Sequence, residues 1–523
     1  MEAIETRVEE PVRPGRHDAV RSQIRGSMLL LSGRFLSRAL NLVVQVVTVR
    51  FLTKADYGDL AYALSIVTLL QKIATFGLDR SVSRFLPMYE EHKEYGKLLG
   101  TLLLVIGTCL ALGTAAPFAL RAFPELFSGW LGTDTAQGYS LILLLAFLAP
   151  VQALDEVLVG LFAVFASPGA IFFRKHVLAP GLKLMVVTIV LLARGDVMNV
   201  AVGYMIASAV GLLICMAILW RLMARRGVLL HLKENRIEVP WKEVLSFTIP
   251  LLSSELVVTV MHTMDAIVLR RCGTIEQVAE LRAVQPIALM NQLVMASFAT
   301  LFTTAAARMF ARKDHKGINE LYWQTTAWIA VLSFPLFLAT SSIAEPVTLM
   351  LFGGRYQQSA VLLSILSIGT FFNAALGLNG LTLKVCGKLK YVFFLNLLTA
   401  ILDLALILVL IPRYGALGAA IANCLALIVH NIFKQTGLRL GTGIHLFETR
   451  FLRIYLSIVS GTILVWVVQW ASDPPLWASV AIAGLVSLIV LRVNRKVLDA
   501  AHTLPELLRV PLMPWLLGSQ VNK

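Results

Sequence analysis

Apolar stretches of about 20 residues recur along the whole chain, each long enough to cross a hydrocarbon core of roughly 30 Å as an α-helix. Inside lipid a backbone must satisfy its own N–H and C=O groups, so spanning segments are helices or closed barrels. The residue alternation of a transmembrane barrel is absent. Charged residues make up 15% of the 523, well below the quarter or so of an ordinary globular domain. The chain is therefore predicted to be an all-α membrane protein with 14 transmembrane helices. Its expected parts are a cytoplasmic N-terminal tail (1–26), a first six-helix bundle (27–221), a cytoplasmic linker (222–243), a second six-helix bundle (244–438), two additional transmembrane helices (439–493) and a cytoplasmic C-terminal tail (494–523). The first tail lacks the apolar core of a cleavable signal, so the first span is expected to be retained.

Orientation follows from lysine and arginine placement. Counting loops with their flanking turns, 33 of the 46 Lys/Arg fall on the side of the N-terminus, 8 on the other side and 5 within spans. That asymmetry predicts cytoplasmic termini and accounts for the net charge of +15. Basic loops beside membrane lipid headgroups explain the charge without a nucleic-acid partner. The five cysteines are scattered, show no metal-ligand spacing and read as small packing residues, so no metal is expected.

Resemblances recur within the chain at a nearly constant offset. Val49-Arg50-Phe-Leu matches Leu269-Arg270-Arg-Cys at 220, Glu91-His-Lys93 matches Asp314-His-Lys316 at 223, Phe172-Phe173 matches Phe393-Phe394 at 221, and the arginine ending Leu191–Arg194 matches Arg413 at 219. A displacement of six spans keeps orientation, so the halves are expected to be parallel repeats related by a pseudo-two-fold axis along the membrane normal. Substrate sites in such proteins lie near the midplane between the repeats.

Charges at membrane depth are expensive and normally face a wet interior and a partner. In span one, Arg34, Arg38, Asn41 and Gln45 follow i, i+4, i+7, i+11 spacing and share one helical face. Its repeat mate, span seven, places Glu255, Thr259 and His262 on one face with Asp265 beside them. The repeat offset puts Arg34 and Glu255 at similar depth, which predicts that they face each other across the cavity and pair in one conformational state. Asp155, Glu156 and Lys183 are expected to meet at mid-depth as an ion pair within the first half. Lys72 and Arg282, nearer helix ends, either line the cavity or snorkel to an interface. Arg34, Arg38, Lys72 and Arg282 are thus the anion-binding candidates. Asn41, Gln45, Asp155, Glu156, Lys183, Glu255, His262 and Asp265 are polar or coupling candidates, His262 having a packing role as its plainer reading.

No GxxxxGK[ST] motif is present, so no P-loop powers transport by ATP. The short outer loops offer little room for an enzyme's acids, and no filter-like sequence suggests a channel. No cofactor is expected, beyond a coupling ion (H+ or Na+) as one possibility.

Several stretches together resemble the polysaccharide-transporter (oligosaccharide flippase) branch of the multidrug/oligosaccharidyl-lipid/polysaccharide (MOP) exporter superfamily. They are Arg50-Phe-Leu-Thr-Lys-Ala-Asp56-Tyr57-Gly58, Gly77-Leu-Asp79-Arg80 through Arg84-Phe-Leu-Pro87, Phe352-Gly353-Gly-Arg-Tyr356 and Tyr414-Gly415-Ala-Leu-Gly418-Ala-Ala-Ile-Ala422. The resemblance covers roughly residues 27–440, and the stretch from Cys272 to Arg282 departs from its usual turn. It implies a flippase, not an enzyme, moving undecaprenyl-pyrophosphate-linked oligosaccharide across a bacterial inner membrane through a V-shaped cavity. It also implies partners such as a polysaccharide polymerase and chain-length proteins. A diphosphate needs guanidinium or ammonium partners, which agrees with Arg34 and Arg38. A small-molecule exporter of the MATE type and a lipid II flippase are the alternatives, the latter because the two extra C-terminal spans resemble that branch.

Overall fold

The computed structural model describes residues 16–132, 135–165, 169, 172–225 and 237–499. Residues 1–15 of the first tail, 226–236 of the linker and the tail from 500 lie outside the described residues. Every regular element among the described residues is helical.

The first half runs α1 (Arg16–Phe51), α2 (Lys54–Thr75), α3 (Leu78–Glu91), α4 (Tyr95–Ala122), the short α5 (Pro124–Leu131), α6 (Ala136–Ala146) and α7 (Leu148–Phe165). A π-helical turn (Phe173–Leu178) then leads into α8 (Ala179–Leu192) and α9 (Val197–Arg225). The second half runs α10 (Trp241–Cys272), α11 (Ile275–Ala288), α12 (Leu293–Ala311), α13 (His315–Thr340), the short α14 (Ala344–Phe352), α15 (Ser359–Ala375), α16 (Asn379–Val385), α17 (Leu389–Tyr414) and α18 (Ala416–Thr442). The chain then continues through α19 (Leu452–Ser472), α20 (Leu476–Val493) and the four-residue α21 (Arg495–Leu498).

Local chemistry sets the breaks. Thr53, Thr135 and Thr274 each accept a hydrogen bond from the third residue onward and so cap α2, α6 and α11. Between α2 and α3 the chain turns through two left-handed residues, Phe76 and Gly77. A Cβ on Gly77 would lie 3.2 Å from Thr248 Cγ2 and 3.3 Å from the Leu252 nitrogen, so both conformation and space select glycine.

Among the described residues, 12 helical stretches are long and apolar enough to cross a membrane. They coincide with the predicted spans two to six and eight to fourteen. The two that fall outside the 12 are α1 and α10, the polar spans one and seven; at 36 and 32 residues they have the length but carry charges along it.

Three apolar cores organise the helices. One gathers Val49, Leu60, Leu141 and Val200 from the first half with Leu269, Val284, Leu363 and Ala419 from the second. At the other end of the helices the core is split. Leu78, Phe85, Leu98, Phe162 and Leu219 form one cluster, and Trp323, Trp328, Phe371, Leu438 and Ile454 form another. The halves therefore share apolar packing at one end, here the shared end, and part at the opposite, split end.

The first turns of α10 are an exception to that division. Val244 belongs to the first half's split-end cluster. Phe247 meets Phe85 edge-on at 5.7 Å, and Tyr89 donates to Glu243 at 3.0 Å. α10 thus starts against the first half and ends among the second half's helices.

At the shared end, equivalent residues of the two repeats make reciprocal contacts. Arg50, ending α1, donates to the Leu351 carbonyl at 2.8 Å and to that of Met350, near the end of α14. Its counterpart Arg270, ending α10, donates to the Gly132 carbonyl after α5 at 3.2 Å and lies 3.6 Å from Asp59. Lys54 pairs with Glu280, and Arg355 donates to the Arg50 carbonyl at 2.8 Å. Each short helix presents its C-terminal carbonyls, the negative end of the helix dipole, to arginine from the other repeat.

Candidate functional site

The parting of the cores leaves a cavity between the halves of about 450 Å³. α1 supplies Asn41 and Gln45, α2 supplies Tyr57 and Ser65, and α10 and α11 supply His262 and Arg282. Gln45 reaches across and donates to the Ala283 carbonyl at 2.7 Å, closing the cavity toward the shared end. A second lobe of about 530 Å³ runs into the first half between α2, α7, α8 and α9. Leu64, Thr68 and Lys183 line both lobes. The second lobe carries most of the charge: Asp155, Glu156, Arg174, Lys175 and Lys183.

Lys183 makes no ion pair or hydrogen bond among the described residues, although the expectation paired it with Asp155 and Glu156. Asp155 attracts Lys183 across the lobe without forming a close ion pair with it. Asp155 instead binds the almost fully buried Arg174, whose guanidinium also donates to the Asp155 carbonyl at 2.5 Å and to Cys215 Sγ at 3.1 Å. The π-helical turn around Arg174 holds an extra residue per turn, which turns that side chain inward over the Phe162 ring at 5.2 Å. Glu156 accepts from Lys72 at 2.6 Å and Gln71 at 3.1 Å. With both acids engaged, Lys183 and Lys175 are left facing the lobe.

Arg34 and Arg38 are exposed on the face that carries Asn41 and Gln45, one to two turns nearer the split end. The side of α1 behind them is fixed, since Ser37 Oγ lies 3.0 Å from His176 Nδ1 and Gly33 abuts the His176 ring. In this conformation Arg34 does not pair with Glu255, as the repeat offset had suggested. Glu255 accepts from Arg80 at 3.1 Å and lies 3.8 Å from Lys72. The reason is packing: α1 lies against α8 and the π-helical turn, whereas α10 lies against α2 and α3, so the two side chains stand on different walls.

Arg282 lines the central lobe but is held. It donates to Asp265 at 2.9 Å, to Gln285 at 2.7 Å and to the His262 carbonyl at 3.0 Å. Asp265 is fully buried and also accepts from Gln285 at 2.8 Å and Asn423 at 3.4 Å. A guanidinium neutralised this way positions its neighbours more than it attracts an anion. Lys72 is likewise held, between Glu156 and Glu255. Sequence reasoning passed over Arg174, Lys175 and Arg80, because each stands near a helix end where a cation reads as a topology signal. The repeat marker Phe172-Phe173 beside Arg174 was the available hint.

No group of three or more potential metal ligands occurs among the described residues. The arrangement is thus a two-lobed vestibule, closed at the shared end, with cations facing in.

No curated protein sequence matches the chain. Among solved structures, the lipid II flippase MurJ in an inward closed conformation superposes with TM-score 0.70 at 15% identity, over 90% of this chain and 99% of that one. An inward-facing MATE multidrug resistance transporter of the MOP superfamily gives TM-score 0.61 at 13% identity, over 77% of this chain and 94% of that one. The MATE multidrug transporter DinF-BH gives 0.59 at 16%, over 84% and 99%. At such identities the likeness concerns the fold alone, which the chain shares with these three proteins. A family model described as polysaccharide biosynthesis protein matches residues 24–304, more than half of the chain. The chain belongs to that polysaccharide biosynthesis family.

Proposed function

We propose that this protein is a flippase for undecaprenyl-pyrophosphate-linked oligosaccharide, working by alternating access without ATP in a bacterial inner membrane with both termini cytoplasmic. The observation that carries the reading is the vestibule itself: closed at the shared end, parted at the split end, and lined by Lys175 and Lys183, with Arg34 and Arg38 on the approach. A pyrophosphate entering from the cytoplasmic leaflet meets those cations in a low-dielectric setting where charge-assisted hydrogen bonds are strong. Lys72 and Arg282, held by carboxylates, serve as positioning residues. Asn41 and Gln45 offer hydrogen bonds to the headgroup. Glu255 and Asp265 tie helices together, and His262 is the group for a proton-coupling test.

The test is deletion of the gene followed by leaflet-resolved analysis of lipid-linked sugars. The reading expects intermediates to accumulate on the cytoplasmic leaflet and to clear on complementation. Unchanged surface glycan in the deletion strain sinks it. The likeness to the lipid II flippase over 90% of the chain favours lipid II as the second cargo to assay. Rescue of a strain lacking its own lipid II flippase would select that reading.

A further inference from the structure

Away from the vestibule, a pocket of about 360 Å³ opens at the split end between α19 and α20. Among the described residues its lining is Arg453, Arg492, Arg495 and Lys496 together with Ile489 and Val493, with no carboxylate among these. The chain is turned and fastened to make this shape. α20 ends at the fully buried Asn494, whose amide donates to Ser457 Oγ of α19 at 2.7 Å and to the Val490 carbonyl at 2.8 Å. The following α21 is pinned to α13, where Gln324 Nε2 donates to the Leu498 carbonyl at 2.5 Å. Four cations are thereby gathered into one concavity.

The surface leading away from that concavity is apolar. Leu485, Ile489 and Arg492 follow i, i+4, i+7 spacing on α20, two exposed aliphatic residues and then a cation along one stripe, and Arg495 and Lys496 of α21 follow the turn at Asn494. Across from them on α19, Arg453 is followed by Leu456 and Val459, which are 58% and 55% exposed. In a membrane helix such side chains meet acyl chains. The order of charge and then aliphatic surface is that of a phospholipid with its phosphate at the helix ends and its tails alongside.

We propose that this pocket binds an anionic phospholipid of the surrounding leaflet, its phosphate seated among Arg453, Arg495 and Lys496 and its acyl chains along Ile489, Leu485 and Leu456. Net negative charge is favoured because a zwitterionic headgroup brings an ammonium to a lining whose charged residues, among those described, are all cations. The fork of an arginine matches phosphate oxygens two at a time. The proposal does not depend on what the vestibule carries.

Native mass spectrometry of the full chain with equal amounts of phosphatidylglycerol, cardiolipin and phosphatidylethanolamine tests it. The expected result is retention of the two anionic lipids over the zwitterionic one by about fivefold or more, shrinking as salt rises. Arg453→Gln/Arg495→Gln/Lys496→Gln should abolish the preference, whereas Arg453→Lys/Arg495→Lys, which keeps the charge, should retain it. A photoactivatable phosphatidylglycerol should label α19 and α20 peptides of the unaltered chain, a readout that needs no variant to fold. Equal retention of all three lipids, a preference that survives the triple substitution, or labelling only elsewhere overturns the assignment. Displacement of the bound lipid by inorganic phosphate at an ionic strength where chloride leaves it bound also overturns it, because the site would then recognise a free anion.

Discussion

Lys183 faces both lobes of the vestibule and makes no ion pair among the described residues, with Asp155 acting on it only across the lobe, so its ammonium is open to a phosphate. A charge-assisted hydrogen bond contributes about 1.5–3 kcal/mol. Lys183→Gln is therefore expected to lower flipping roughly 10- to 100-fold, measured as complementation of surface-glycan export at matched protein levels; unchanged export would remove Lys183 from the cargo path. Arg174 is the opposite case, a cation consumed by structure. Arg174→Met leaves Asp155 without its partner and should cost roughly 1–3 kcal/mol, given that Asp155 keeps part of its surface exposed. Thermal unfolding checks this, and Asp155→Asn in the same chain should recover part of the loss. Residue types at depth were legible from sequence, and so was the shared face of Arg34, Arg38, Asn41 and Gln45. Their partners were not, because depth along a helix does not specify which wall a neighbouring helix stands on.

Whole helices act as units at two places. At the shared end, the arginines ending α1 and α10 seat on the carbonyl ends of α14 and α5, and Lys54–Glu280 and Arg270–Asp59 flank them. These contacts must separate for the vestibule to open there. Glu280→Gln with Asp59→Asn should loosen them, raising modification of a cysteine placed at Ser65 by a membrane-impermeant thiol reagent several-fold from that side. The background needs Cys272→Ser, since Cys272 is exposed. No change in labelling would show that the contacts do not hold the closure. The second place is the hinge between α2 and α3. Gly77→Ala forces a Cβ into the left-handed region and against α10, and is expected to destabilise by about 1–2 kcal/mol in thermal unfolding. The repeat was visible in the sequence as Arg50 and Arg270 at the same offset. That both serve as helix-end clamps emerged only from the short helices they reach.

For the molecule as a whole, α19 and α20 are built into a core instead of hanging beside it. Phe451 stacks on Trp323 at 6.2 Å, Phe447 meets the same ring at 5.7 Å, and Ile454, Ile458 and Val465 belong to the second half's split-end cluster. A chain truncated after residue 442 would expose the Trp323 and Phe334 surface, and is expected to lose monodispersity and its cooperative thermal transition. Size-exclusion chromatography in detergent decides this; a well-behaved truncated protein would mean that the two helices are dispensable additions.

Hydropathy and helical period are properties of neighbouring residues, so the chain by itself determined that it is a helical membrane protein and where 12 of its spans lie. The same local reasoning found the polar faces of α1 and α10. Which charges pair, which stay free, and which end of the molecule is closed depended on how helices distant in sequence rotate and lean on one another. The tertiary structure alone decided that Asp155 takes Arg174 and Glu255 takes Arg80, leaving Lys175 and Lys183 to face the vestibule. The cause is geometric: a helix presents a new face every 100° or so, and only packing selects the one that meets a partner.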